Sequence, residues 1–363
     1  MKEEDFEDLF QDEDFNEDFD PEELEKKFEA LMKNRSYMKP DGEENPFFMV
    51  HHKDIFLPAQ LKKGDKIAIL SPASAVKEEY VLGAMERIME RGYQPVLMKY
   101  AIGHESGSFS ATKGDRLMDM FEALQDSQYK AIFCTRGGYG CGQLLVNFSY
   151  GLIANNPKWL IGFSDVSALL AMWYRSNIAS IHGPMAKHLA TMPANDPCTD
   201  ALFKMLENGG KFDYTVAAHE YNRPGKVSGI LRGGNLAVLN DLSDTPCDIL
   251  STRGETHDVI LFLEDINEPI YKVNRMLWRL INSGFLTSVK GIIFGQFTDY
   301  KPDANYGSME DMIHEFIDRT MIPENIPVAY NFPTGHTDVN YPLTVGARVE
   351  LEVTDSKVRI HTI

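Results

Sequence analysis

The chain has 363 residues, 43% hydrophobic and 25% charged, the profile of an ordinary globular protein with room for two cores. Its formal net charge of −18 is concentrated at one end: residues 1–30 hold 15 acidic against 3 basic side chains, so the body is only mildly acidic. That balance excludes nucleic acid as a main partner, no apolar run approaches the ~20 residues of a membrane span, and the acidic start MKEEDFEDLF is unlike a signal peptide.

Residues 1–58 read as an acidic extension, partly disordered, in which Phe6, Phe10, Phe15 and Phe19 recur and PEELEKKFEALMKN has the composition of a short helix. From Leu61 the texture changes. KIAIL (66–70) is a short apolar run closed by SPAS, and VLGAMERIMERGY follows as a helix stopped near Gly92. QPVLMKY, KAIFC (130–134) and KWLIG (158–162) are further strand-like runs, the last two closed by TRGGYG and FSD. In VSALLAMWYRS, Val166, Leu169, Leu170 and Trp173 share one helical face. Strands alternating with helices predict a parallel sheet covered on both sides over residues 59–190.

Residues 191–228 are richer in Pro, Asn and Asp with weaker periodicity, and read as an interdomain connection. A second α/β domain over 229–363 follows, with GILRGGNLAVL, the strand VILFL (259–263), the helix YKVNRMLWRLINSG and the strand GIIFGQF (291–297). A helix around Met312–Ile317, then PVAYNF, ARVELEV and KVRIHT complete it. The fold class is α/β with two domains, and small-molecule sites favour the cleft between such domains.

In a parallel sheet, reactive groups gather beyond the carboxyl ends of the strands. Three strand ends carry them. Gly162-Phe163-Ser164-Asp165 lies between a strand and a helix, where a serine hydroxyl projects outward and the next backbone N–H can help hold an oxyanion. It differs from the G-x-S-x-G elbow, and Ser164 as a simple helix cap is the competing reading. The glycines of Thr135-Arg136-Gly137-Gly138-Tyr139-Gly140 let the backbone approach a ligand, although the loop lacks the ending of a P-loop. Glu264-Asp265 close VILFL, and His336 lies in PTGHTD. Singly these suggest a salt bridge and a surface histidine; with Ser164 they supply the hydroxyl, imidazole and carboxylate of nucleophilic acyl transfer. His182 in IHGPM is the second choice of base. The four cysteines form no C-x-x-C pair, so free thiols in a reducing cytoplasm are expected, with no metal site and no cofactor.

The order and joint occurrence of GDKIAILSPAS, TRGGYG, IGFSD, IHGPM, LRGGNL, LFLEDINEPIYKVNRML, GIIFGQF and PTGHTDVNYPLTVGARVEL resemble the LD-carboxypeptidase family of serine peptidases, which includes muramoyltetrapeptide carboxypeptidases and microcin C immunity peptidases. The match runs from about Leu61 to the C-terminus. It implies an amidotransferase-like parallel-sheet N-terminal domain joined to a smaller swivelling α/β C-terminal domain, in a homodimer with the active site between domains. It also implies Ser164 as nucleophile, His336 as base, Glu264 as the triad carboxylate, and an oxyanion hole from the N–H groups of Asp165 and Gly138. The reaction implied is removal of terminal D-Ala from murein tetrapeptides, with Arg136 or Arg232 placed by charge to hold the substrate carboxylate. The immunity branch stacks a loop tryptophan on a nucleobase. Here Trp159, Trp173 and Trp278 all lie outside 191–228, which favours murein peptides over peptidyl-nucleotide toxins. A non-catalytic protein holding a small anion in the glycine-rich loop is the reading from another class.

Overall fold

Apolar runs of four to six residues, each closed by small polar residues, become parallel strands of one sheet. The computed structural model describes residues 55–252, 257–320 and 322–363. The acidic segment up to residue 54, with its recurring phenylalanines and the helix expected in it, lies outside the described residues.

The first sheet is built from β1 (Lys66–Leu70), α1 (Glu78–Glu90), β2 (Gln94–Leu97), α2 (Lys113–Gln125), β3 (Tyr129–Cys134), α3 (Tyr150–Asn155), β4 (Trp159–Gly162), α4 (Ser167–Arg175) and β5 (Ser180–His182). Strands run in the order β2-β1-β3-β4-β5, all parallel, so that Gly162 lies opposite His182. All four residues of β4 are buried, as expected of a strand covered on both faces. Burying one such apolar side chain contributes about 1.5–3 kcal/mol. The periodicity of α4 predicts one buried face, yet all nine of its residues are buried, because the second domain closes over its outer side.

Next come α5 (Ala186–Thr191), α6 (Pro197–Glu207), β6 (Asp213–Ala217), β7 (Gly225–Asn235), α7 (Leu236–Asp241), β8 (Val259–Ile266), α8 (Ile270–Asn282), β9 (Gly291–Thr298), α9 (Met309–Arg319), β10 (Val328–Ala329), β11 (Leu343–Val345), β12 (Arg348–Val353) and β13 (Lys357–Thr362). The second sheet has the order β10-β9-β8-β7-β12-β13-β6, parallel from β7 to β10 and antiparallel beyond β7.

Two segments depart from the boundaries expected from sequence. The stretch 191–228 carries α6, β6 and the start of β7 rather than a bare connection. Its Asn-Asp-Pro cluster is a helix start: Asp196 accepts the Thr199 N–H and Pro197 fills the first turn. β6 is an edge strand with no fully buried position, which weakens its pattern. Secondly, β11 leaves the second domain and joins the first sheet, antiparallel to β5, pairing Leu343 with His182. The two sheets are therefore tied by a chain that returns.

Candidate active site

Ser164 follows β4 at a turn so sharp that its φ is +63°. A non-glycine residue held there costs about 1–3 kcal/mol and persists only where the surroundings enforce it. Ser164 opens a tight turn to Val166 that leads into α4, and neither element has a side-chain cap bond, which removes the helix-cap reading. The enforcing neighbour is Gly137. A Cβ on it would lie 2.9 Å from Ser164 Cβ, 3.1 Å from Ser164 Oγ and 3.1 Å from the Asp165 nitrogen. Only a glycine lets this loop lie against the serine.

The glycine-rich loop is tied down from several sides. The Asp165 carboxylate accepts the Cys141 N–H at 2.8 Å, linking the loop to the serine turn. Ser74 Oγ accepts the Tyr139 N–H at 3.1 Å and fills the space beside Gly138. Buried Arg116 donates to the carbonyls of Pro72 and Gly140, at 2.8 and 3.2 Å, and to Gln143 Oε1 at 2.7 Å.

The second half of the site comes from the other sheet. Glu264 lies near the end of β8 with no exposed surface, and its Oε2 meets His336 Nδ1 at 2.7 Å. His336 stands on the turn after β10. Gly335 has a φ of +116°, and a Cβ there would lie 2.8 Å from Glu264 Oε2, so the turn presses its backbone onto the carboxylate. Asn340 Oδ1 accepts the Gly335 N–H at 2.9 Å and sets the turn. Burial pushes the Glu264 carboxyl up, but the charge and hydrogen bond of His336, with the His182 imidazole close by, outweigh it, holding the group at about 2. For His336, burial lowers the imidazole's affinity for its proton. The Glu264 charge and hydrogen bond raise it by more, and the net direction is up.

The halves meet on both sides of Ser164. The Phe163 ring lies 4.7 Å from the His336 ring, centroid to centroid. Three residues after Ser164, Ser167 Oγ accepts the Asn235 N–H at 3.0 Å. Asn235 in turn donates to Asp265 Oδ1 at 3.1 Å, while Asp265 Oδ2 accepts the Ala237 N–H at 2.9 Å. Burial, then the neighbouring Glu264 charge, raise the Asp265 carboxyl to about 7 against the pull of these donors.

The remaining sequence candidates separate cleanly. Arg136 is exposed on the glycine-rich loop and donates to the Ala75 carbonyl at 2.5 Å. Arg232 corrects an expectation: it has no exposed surface, lies between the Tyr174 and Phe285 rings and donates to the Ser251 carbonyl, so it offers nothing to a substrate. His182, the second choice of base, is wholly buried with Nε2 3.5 Å from Glu264 Oε1. Sequence reasoning missed Arg116, Asn235 and Asn340, and named Asp265 beside Glu264 without giving it a role of its own. The signal for Asp265 was a second carboxylate closing a buried strand; the other three carry none. Among the described residues no group of three or more metal-ligating side chains forms.

Comparison with known proteins gives this arrangement a family. The description of the LD-carboxypeptidase N-terminal domain matches residues 67–183, and that of the C-terminal domain matches residues 228–351. A probable murein peptide carboxypeptidase of Bacillus subtilis is 30% identical, over 83% of this chain and 92% of the relative. The murein tetrapeptide carboxypeptidase of Pseudomonas aeruginosa is 31% identical, over 79% and 93%. The crystal structure of muramoyltetrapeptide carboxypeptidase from Oxalobacter formigenes superposes with a TM-score of 0.72 at 27% identity, covering 82% of this chain and 98% of that one. With both domains matched, and with the serine turn, the glycine-rich loop and the Glu264–His336 pair at the expected strand ends, the chain belongs to the LD-carboxypeptidase family of peptidases.

Proposed function

We propose that the protein is a serine-type LD-carboxypeptidase that removes terminal D-Ala from murein tetrapeptides, cutting the amide on the L-centre of the diamino acid. The observation that carries this reading is the His336 Nδ1–Glu264 Oε2 bond of 2.7 Å, in ring contact with the residue preceding a serine held at positive φ. A carboxylate on Nδ1 fixes the tautomer that leaves Nε2 free to take a proton. Ser164 Oγ attacks the scissile carbonyl as His336 Nε2 takes its proton, and Glu264 stabilises the imidazolium that forms. The N–H groups of Asp165 and Gly138 hold the oxyanion. His336 returns the proton to the departing D-Ala amine, and water, activated by the same imidazole, releases the acyl group. Arg136 is the group we assign to the substrate carboxylate. We place the enzyme in the cytoplasm, supported by four cysteines that are all buried and unpaired; its homodimeric assembly rests on the resemblance to the family.

The test is chromatographic detection of the free amino acid released from three substrates: a murein tetrapeptide ending in D-Ala, the same peptide ending in L-Ala, and an aminoacyl-sulfamoyl adenosine. Release from the first alone is expected. Cleavage confined to the nucleotide conjugate would replace murein peptides with peptidyl-nucleotide toxins as the substrate class.

A further inference from the structure

His182 is enclosed beside the Glu264–His336 pair and takes no part in the steps above. It has no exposed surface, and neither ring nitrogen has a formed hydrogen bond. Glu264 Oε1 is also buried without one. These orphans face each other: His182 Nε2 lies 3.5 Å from Glu264 Oε1, while Oε2 of the same carboxylate takes His336 Nδ1 at 2.7 Å. The Phe163 and Phe262 rings pack edge-on to the imidazole, at centroid distances of 5.7 and 5.2 Å.

A buried polar group left unpaired is costly, and an apolar side chain would fill the same space without that cost. The separation is about 0.5 Å beyond a formed N–H···O bond, the slack typical of catalytic contacts before substrate arrives. Position in the fold supplies the second argument. His182 pairs with Gly162, two residues before Ser164, whereas Glu264 belongs to the other sheet.

We propose that His182 is a positioning residue: protonated on Nε2, it holds Oε1 of Glu264 and so registers the Glu264–His336 pair on the sheet that carries Ser164. The charged and titratable groups around the carboxylate are His182 from β5, His336 from the turn after β10 and Asp265 from its own strand, with Asp299 acting on His336. Without the His182 donor, Oε1 stands bare and the carboxylate draws the His336 proton more strongly.

The kinetic part of the test rests on the serine-peptidase reading; the spectroscopic part is independent of it. H182F keeps an enclosed ring and removes the donor, while H182Q returns an N–H near the position of Nε2. For D-Ala release, kcat of H182F is expected to fall about 10- to 100-fold with KM within about twofold, since the lost contact orients a catalytic group rather than substrate. The acid limb of its kcat profile should move to higher pH, and H182Q should recover most of kcat with the limb near that of wild type. In the wild-type protein, 15N NMR of the histidine rings should show His182 Nε2 protonated. A bare Nε2 overturns the proposal, as does H182F with wild-type kcat and an unmoved acid limb. If wild type releases no D-Ala, the substrate reading fails while the Nε2 signal still decides the role of His182. The same signal decides it if H182F does not fold.

Discussion

At the scale of single residues, the proposed mechanism requires His336 to be neutral to accept a proton from Ser164, yet its bond to Glu264 favours the charged form. Because Glu264 raises the imidazole above its ordinary 6.5, the acid limb of kcat is expected to have its midpoint above pH 6.5. In Glu264→Gln the charge is gone and burial remains, so the midpoint should move down as kcat falls; a pH–rate profile of both proteins checks this, and an unmoved midpoint would separate Glu264 from the base. Stability follows the same groups. The contribution of His336 is fully present below 6.5 and is lost as pH rises through its higher folded value. That of Glu264, ordinarily at 4.5 and here at about 2, is present above 4.5 and lost as pH falls through about 2. The pair is therefore at full strength between about pH 4.5 and 6.5. Asp265 works the other way, since its cost as a carboxylate is present above about 7 and is relieved toward 3.8. The placement of Ser164, Glu264 and His336 was legible in the sequence because each is a reactive side-chain type at or just beyond the end of a short apolar run. Arg232 misled because charge says nothing about enclosure: its guanidinium lies buried between two rings and donates to the Ser251 carbonyl.

At the scale of elements, the site depends on backbone brought closer to side chains than any Cβ allows. Gly335 is the clearest instance, with its left-handed φ and the Glu264 carboxylate 2.8 Å from where a Cβ would stand. Gly335→Ala is expected to lower stability by about 1–3 kcal/mol through backbone strain. It should also cut kcat about 100-fold by displacing the His336–Glu264 pair by as little as an ångström. Thermal unfolding and D-Ala release measure the two effects, and wild-type turnover in this variant would show that the turn does not aim the imidazole. The parallel strands of the first sheet were plain in sequence as short apolar runs with polar ends. α6 and β6 were not, because a helix start uses the same Asn, Asp and Pro as a loop, and an edge strand with no fully buried position shows little apolar pattern.

At the scale of the whole molecule, the groups proposed to react are split between two sheets, and the fold ties those sheets together at several points. β11 crosses back to pair with β5, Tyr150 donates to the Pro246 carbonyl at 2.5 Å, and Asn235 donates to Ser167 beside the serine turn. No sequence pattern announced this return: Leu343–Val345 is three residues long and reads as a continuation of its own domain. Its placement depends on the whole chain being folded. The domain split also defines what the proposed triad has to do, since in that mechanism Ser164 from one sheet and His336 from the other work only as one unit. The measurement that bears on this most directly is kcat for D-Ala release by Ser164→Ala, His336→Ala and the double variant. Each single change should lower kcat by about four to six orders of magnitude, and the double variant should be no worse than Ser164→Ala, as for groups that act together. Losses that multiply in the double variant, or turnover that survives Ser164→Ala, would contradict a nucleophile and base assembled across the two domains.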